Sequence, residues 1–179
     1  MSNANLSDFY GRYIAALNAR DFDTVRTLIA DDVLVNGMAY KREDVIASLE
    51  GITDAVPDFH WTVEDLFTDD GRIAARLRDT GTPVKPFLGH DPTGRSLDIM
   101  EYGSYRVEES LFVDMRFLID AATAGEQLRS QAGAEQSRSA GTNIGASRFP
   151  SRRESSVRDM SQNEASPAIH REIRYGPSR

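Results

Sequence analysis

Two carboxylates stand at strand-like positions among apolar residues of this chain. Asp79 ends the alternating run RIAARLRD, and Glu101 lies within the alternating run LDIMEYGSY. Alternate residues of a strand share one face, so both carboxylates are expected among apolar side chains. Apolar surroundings raise a carboxyl pKa toward the range of a general acid or base. The alternative is that both side chains pair with arginines or reach solvent at the rim of the fold.

Other side chains could shape a binding site beside these carboxylates. Tyr13 could donate a hydrogen bond to a ligand, or it could be a core tyrosine whose hydroxyl is satisfied locally. Leu77 shares the predicted face of Asp79 and would belong to an apolar wall. Trp61 or His60 would join that wall, depending on which face of their strand turns inward. These residues predict a pocket for an apolar small molecule.

A loop rich in proline and glycine, TGTPVKPFLGHDPTG, separates the two carboxylates. Phe87 and Leu88 lie in this loop, where they would form an apolar lid or a small satellite of the core. His90 stands beside Asp91, and the simplest interpretation of a loop histidine in that setting is a solvated polar residue.

Helices come first in this chain and long strands follow. Apolar residues at helical spacing predict three helices, and alternating runs bounded by turn residues predict five strands. The order α-α-β-α-β-β-β-β indicates an α+β fold, a cone in which a strongly curved antiparallel sheet wraps around helices. The predicted helices cover residues 7–19, a short segment capped by Asp21, and 42–51; the predicted strands cover 33–35, 59–68, 72–82, 95–107 and 111–120.

Composition narrows the chemistry. The 179 residues include no cysteine, which excludes disulfides, thiolate nucleophiles and cysteine-based metal sites. The three histidines share no ligand spacing, and no glycine-rich phosphate loop follows a strand, so we expect neither a metal nor a cofactor. No leader or apolar span is visible, which predicts a soluble, cytoplasmic protein with no membrane partner.

Charge and composition divide the chain near residue 128. Residues 1–128 carry 12 basic and 23 acidic side chains, a net charge of −11, and residues 129–179 carry 9 arginines and 5 acidic residues, a net charge of +4. The acidic part disfavours nucleic acid as a partner. The Ser/Arg-rich remainder has no sustained period and is expected to be a disordered tail. The alternatives are an arginine-rich arm for an acidic partner or RNA, which rests on Arg152 and Arg153, and sequence foreign to the domain.

Three segments carry a resemblance to a known family: GRYIAALNARDFDTVRTLIADDVLVNG, FLGHDPTGR and YRVEESLFVDMRFLID. Together with the element order, they resemble the SnoaL-like polyketide cyclases and ester cyclases, within the nuclear-transport-factor-like superfamily. The resemblance implies a cone fold, ring closure by an intramolecular aldol reaction, and a mouth bordered by the loop of Phe87 and Leu88. It also implies a catalytic carboxylate in the last strand and a histidine in the strand before it. Phe117 and Gly103 occupy those positions here, so both groups are missing.

The first of these segments is also similar to the start of the steroid isomerases of that superfamily. Tyr13 matches their oxyanion-binding tyrosine, whereas Gly37 falls at the base and Gly103 at the oxyanion-binding acid. We therefore expect Asp79 or Glu101 to replace the displaced catalytic groups, with Gly103 and Phe117 as an apolar wall of the pocket. The alternative is a cone domain that binds a small molecule without chemistry.

The resemblance further implies a homodimer. Members of the family commonly pair through the outer face of the sheet. The apolar residues expected on that face alternate with charged ones and are Met100, Tyr102, Phe112 and Leu118.

Overall fold

The computed structural model describes residues 3–129, so the predicted tail lies outside the described residues except for Arg129. Within the described part, the order of elements is α-α-β-β-α-β-β-β-β-α. The helices are α1 (Asn3–Ala19), α2 (Phe22–Thr27), α3 (Arg42–Ala55) and α4 (Ala121–Leu128). The strands are β1 (Ile29–Val35), β2 (Met38–Lys41), β3 (His60–Asp69), β4 (Arg72–Gly81), β5 (Leu97–Glu108) and β6 (Leu111–Ile119).

The six strands form one curved, unclosed sheet in the order β2-β1-β6-β5-β4-β3. Helices cover its inner face, so the predicted α+β cone is confirmed. The sheet is mixed, because β1 pairs with β6 in parallel while every other pair is antiparallel. A parallel pair needs a long connection, and α3 with the β3–β6 meander supplies it.

Two elements add to the predicted order. Strand β2 forms a hairpin with β1 through Asn36 and Gly37, whose φ angles of 49° and 82° suit a tight hairpin turn. All four β2 residues are exposed, so β2 has no alternation of polar and apolar residues that sequence analysis could detect. Asp120 caps the N-terminus of helix α4, where its carboxylate accepts a hydrogen bond from the Thr123 backbone N–H at 2.9 Å. No helix within residues 3–129 combines the length and apolar character that a membrane crossing requires.

Strict alternation on β4 and β5 sets the inner face of the sheet. Every second residue of each strand is buried, as the alternating sequence predicts. The buried positions on these two strands are Ile73, Ala75, Leu77, Asp79, Gly81, Leu97, Ile99, Glu101, Gly103, Tyr105 and Val107. Both carboxylates therefore point toward the helical layer.

The predicted place of Phe112 on the outer face is wrong. Phe112 is 0% exposed, and its ring centroid lies 4.8 Å from that of Phe9 and 4.9 Å from that of Tyr13, both on α1. The register between β5 and β6 shifts between Arg106 and Val107, and this irregularity turns Phe112 into the core. Alternation read from β6 alone could not reveal a shift that depends on its neighbour.

Candidate active site

Asp79 on β4 and Glu101 on β5 lie on the inner face of neighbouring antiparallel strands. Glu101 is opposite Leu77 in the register, and Asp79 is two residues further along β4. Diagonal neighbours of this kind have Cα atoms roughly 7–8 Å apart, which lets long side chains interact. The register thus brings the two predicted catalytic residues together.

The Asp79 side chain is enclosed without a partner. The residue is 0% exposed, whereas 8% of the Glu101 surface remains exposed. Neither carboxylate oxygen of Asp79 has a hydrogen-bond partner among the described residues. The Glu101 carboxyl lies within reach of Asp79, but two carboxyl groups can form a hydrogen bond only when one of them carries a proton. Protonation would therefore satisfy an otherwise orphaned buried group.

The pKa values of both carboxyls are raised, and burial is the main cause. The negative charge of Glu101 raises the pKa of Asp79 further, because like charges repel strongly at short range in a poorly polarisable medium. Since the groups interact, the apparent pKa values belong to the pair. At neutral pH the pair holds a proton, so it combines a carboxylic acid with a neighbouring group that can accept a proton.

Three buried tyrosines share this interior. Tyr10 and Tyr13 come from α1 and Tyr105 comes from β5, and burial is the first cause that raises the pKa of each hydroxyl. The Tyr10 hydroxyl donates to the Tyr105 hydroxyl across 3.5 Å. The charge of Glu101 contributes to the raised pKa of all three hydroxyls, so they lie within its electrostatic range. Each hydroxyl stays protonated at neutral pH and can donate a hydrogen bond.

The sequence pattern predicted Tyr13 as a site residue but did not indicate Tyr10 or Tyr105. Tyr10 precedes Tyr13 by three residues on the same helical face, and Tyr105 continues the inward alternation of Glu101. Both signals were visible in the sequence, but neither distinguishes a site tyrosine from a core tyrosine. Only the three-dimensional contact between α1 and β5 brings these hydroxyls together.

The ring of Tyr105 lies across Gly103. A Cβ atom at position 103 would stand 2.3 Å from the Tyr105 hydroxyl oxygen and 2.5 Å from a ring carbon, which is closer than real Cβ atoms approach. The sequence predicted that Gly103 leaves a roomier apolar wall of the pocket, whereas in the structure the Tyr105 ring fills that space.

Trp61, Phe87 and Leu88 occupy the same end of the sheet as Asp79. Trp61 is opposite Asp79 in the register and is buried, while the neighbouring His60 is exposed, which decides which side of β3 turns inward. The ring of Phe59 lies 4.6 Å from that of Trp61 and 5.7 Å from that of Phe87. Phe87 is thus anchored in the core.

Hydrogen bonds and side-chain packing hold the loop of residues 82–96 in place. Leu88 and Gly89 have φ angles of 49° and 80°, and they form a tight turn closed by backbone hydrogen bonds between Phe87 and His90. The His90 ring lies against Gly125 of α4, where a Cβ atom would stand 2.7 Å from Nε2. Leu88 itself is half-buried against the core. The loop and α4 therefore cover the end of β4 and β5 nearest to Asp79.

The inner face is less tightly covered along β6. Phe117 is opposite Gly103 and Ile119 is opposite Glu101, and both side chains are only half-buried. The inward residues of β4, by contrast, are all buried. An approach to Glu101 from the β6 side is the geometry that this difference favours.

A separate cavity of about 250 Å³ lies on the outer face of β4, β5 and β6. It does not contain Asp79 or Glu101; its lining is Arg72, Ser104, Tyr105, Arg106, Asp114 and Arg116. Within residues 3–129, no three histidine or acidic side chains gather closely enough to hold a metal ion.

Comparisons with known proteins agree on one family. Residues 7–128 match the family model of the SnoaL-like polyketide cyclases. A SnoaL-like polyketide cyclase from Agrobacterium tumefaciens is 28% identical, with a TM-score of 0.66 over 72% of this chain and 100% of the other. IdmH from Streptomyces antibioticus, assigned as a polyketide cyclase, is 27% identical, with a TM-score of 0.62 over 68% of this chain and 96% of the other.

One further structure shows the fold alone. AclR from Streptomyces galilaeus, assigned as a hydroxylase, is 22% identical, with a TM-score of 0.64 over 71% of this chain and 97% of the other. A comparison with curated protein sequences finds no match.

Proposed function

The chain belongs to the SnoaL-like polyketide cyclase family, and from that premise we propose that it closes a ring in an apolar, carbonyl-bearing small molecule. The chemistry is acid/base catalysis by Asp79 and Glu101, and it requires no cofactor. The substrate lies in the interior of the cone, between this carboxyl pair and the aromatic side chains around it.

The observation that carries this proposal is the unpartnered, fully buried carboxyl of Asp79 beside Glu101. An unsatisfied buried polar group costs roughly 1–3 kcal/mol of stability. No ion pair among the described residues offsets that cost, since no cation lowers the pKa of either carboxyl. A raised pKa is what a group needs to exchange protons near neutral pH.

The proposed reaction is an intramolecular aldol closure. The ionised member of the pair removes a proton from a carbon next to a substrate carbonyl, which leaves an enolate. The enolate carbon attacks a second carbonyl of the same molecule, so one carbon–carbon bond forms and one carbonyl becomes an alkoxide. The protonated member of the pair gives its proton to that alkoxide, so the pair ends with the single proton it began with.

The test is turnover of a panel of polyketide-like substrates by Asp79→Asn and Glu101→Gln variants. If this pair moves the proton, turnover should fall about a hundredfold or more in at least one of them, with binding nearly unchanged. Asp98→Asn is the matched control, because Asp98 lies on β5 with its side chain in an ion pair on the outer face. Full turnover in both inner variants would refute the assignment of the carboxyl pair.

A non-catalytic binding role is the second candidate. It is favoured by Gly103 and Phe117, which lack ionisable groups at the two positions where the family's resemblance places catalytic ones. Native mass spectrometry of the purified protein separates the two candidates. A small molecule that stays bound and chemically unchanged, together with no turnover across the panel, would favour the binding role.

We propose that two copies of the chain pair through the outer face of the sheet. Tyr102 and Leu118 are opposite each other on β5 and β6 and are 55% and 61% exposed. Exposed apolar side chains at the middle of a sheet face suit a two-fold interface. Light scattering at micromolar concentration should give twice the mass of one chain, and a monomer mass would refute the pairing.

A further inference from the structure

A glycine is needed at position 103 because of the neighbouring Tyr105 side chain and not because of the backbone conformation. Its φ angle lies outside the left-handed region, so another residue could adopt the same strand conformation. A side chain there would overlap Tyr105, whose Oη, Cε2 and Cζ atoms would lie 2.3, 2.5 and 2.6 Å from the added Cβ. The space above Gly103 is therefore already filled by a phenol.

The position of this phenol follows from its strand. Tyr105 is two residues beyond Gly103 on β5, and its ring turns back along the strand over Gly103. Glu101 is the next inward residue in that direction, and the half-buried Phe117 is opposite Gly103 on β6. The Tyr105 hydroxyl thus lies on the stretch of inner wall between Glu101 and the half-buried Phe117.

The hydroxyl of Tyr105 can also donate a hydrogen bond. Burial raises the pKa of Tyr105 well above its ordinary value, so the phenol keeps its proton at neutral pH. Tyr10 donates its own proton to the Tyr105 oxygen. When the Tyr105 oxygen accepts this bond, the Tyr105 proton can still be donated to another acceptor.

We infer that Tyr105 supplies the hydroxyl that binds the carbonyl oxygen of the substrate, and that Gly103 is present to admit it. The inference rests on the proposed function, because it places the donor beside the carboxyl pair that moves the proton. Tyr105 takes the space of the absent side chain at position 103, and its hydroxyl stabilises negative charge as it develops on the bound oxygen. Tyr10 is the positioning residue, since it acts through Tyr105.

The test uses two aryl ketones, acetophenone and 1-tetralone, labelled with carbon-13 at the carbonyl. A donated hydrogen bond moves the carbonyl carbon signal downfield, so the signal reports the contact directly. The full chain should shift the signal on binding, and Tyr105→Phe should lose most of that shift and bind about tenfold more weakly, the effect of one neutral hydrogen bond. Tyr40→Phe, an exposed phenol on β2, is the control and should match the unmodified protein.

Gly103→Ala provides an independent route to the same result. The added methyl group displaces the Tyr105 ring without removing its hydroxyl, so the carbonyl shift should be lost as in Tyr105→Phe. The variant that combines Gly103→Ala with Tyr105→Phe should lose no more of the carbonyl shift and of the binding than either single variant, because both changes remove the same contact.

The outcomes separate the two proposals. An unchanged carbonyl shift in Tyr105→Phe overturns the role of Tyr105 and leaves the roles of Asp79 and Glu101 standing. Additive losses in the double variant also overturn it. Failure of the unmodified protein to bind either ketone overturns both the inferred donor and the proposed function.

Discussion

The charged side chains of β4 and β5 are paired and exposed on the outer face of the sheet but buried on its inner face. On the outer face, Arg78 pairs with Asp98 across the two strands, and 52% and 48% of these side chains remain exposed. On the inner face, Asp79 and Glu101 are buried, and no cation among residues 3–129 lowers the pKa of either. Arg78 holds the pKa of Asp98 below its ordinary value, whereas burial raises that of Asp79.

The contrast shows that position, not residue type, sets the chemistry of these carboxyls. Asp98 is the register partner of Thr80, and Asp79 is the register partner of the next residue, Ile99, so the two aspartates are close in the sheet but on opposite sides of it. Solvent and an arginine keep the outer aspartate ionised. Enclosure and a like-charged neighbour make the inner one a proton carrier.

Crowding the inner wall should have the largest effect on stability. Gly103→Leu forces the Tyr105 ring out of its place, and overpacking of this kind should lower the free energy of unfolding by about 3 kcal/mol. Ser104→Leu, at the adjacent exposed position on β5, is the matched control and should change it little. Urea denaturation measures both variants. Equal stability of the two would show that the inner wall has room to spare.

Removing the inner charge should stabilise the protein at the expense of its proposed activity. Asp79→Leu replaces an unpartnered buried carboxyl with an apolar side chain of similar size, so the free energy of unfolding at neutral pH should rise by about 2 kcal/mol. Asp98→Leu on the outer face should give no such gain. A loss of stability in Asp79→Leu would mean that the Asp79 carboxyl makes a favourable contact.

The inner pair should make stability fall as the pH rises. In the unfolded chain both carboxyls ionise near pH 4, whereas in the folded chain their pKa values are raised. Between pH 4 and the raised pKa values, the folded state therefore binds more protons than the unfolded state. The free energy of unfolding falls by about 1.4 kcal/mol for each unit by which a carboxyl pKa is raised. Thermal unfolding of the unmodified protein and of Asp79→Asn, compared from pH 4 to pH 8, measures it. A constant difference between the two would contradict the raised pKa of Asp79.

Breaking the outer pair should have the smallest effect. Asp98→Asn removes the ion pair with Arg78, but both side chains are already half-exposed to water. Exposed ion pairs contribute little, since water screens the charges and the side chains lose freedom on pairing. The denaturation midpoint should therefore match that of the unmodified protein at high salt. A clear loss at high salt would show that this pair is shielded from solvent.

Local patterns predicted most of the fold and part of the site. Alternation placed Asp79 and Glu101 on inward faces, and the order of helices and strands indicated the cone. The parallel pairing of β1 with β6 could not be predicted, because it joins strands far apart in the chain. The shift that buries Phe112 and the turn of the Tyr105 ring over Gly103 depend on neighbouring strands and on side-chain packing, which no local pattern records.

The proton of the inner pair is the central claim, and a carbon-13 carboxyl titration by nuclear magnetic resonance measures it most directly. Asp98 serves as an internal reference, because its pKa is lowered by Arg78. The carboxyl signals of Asp79 and Glu101 should show a shared proton retained at neutral pH, after Asp98 has ionised in the acid range. If both inner carboxyls ionise near pH 4, the pair carries no proton to exchange and the account is contradicted.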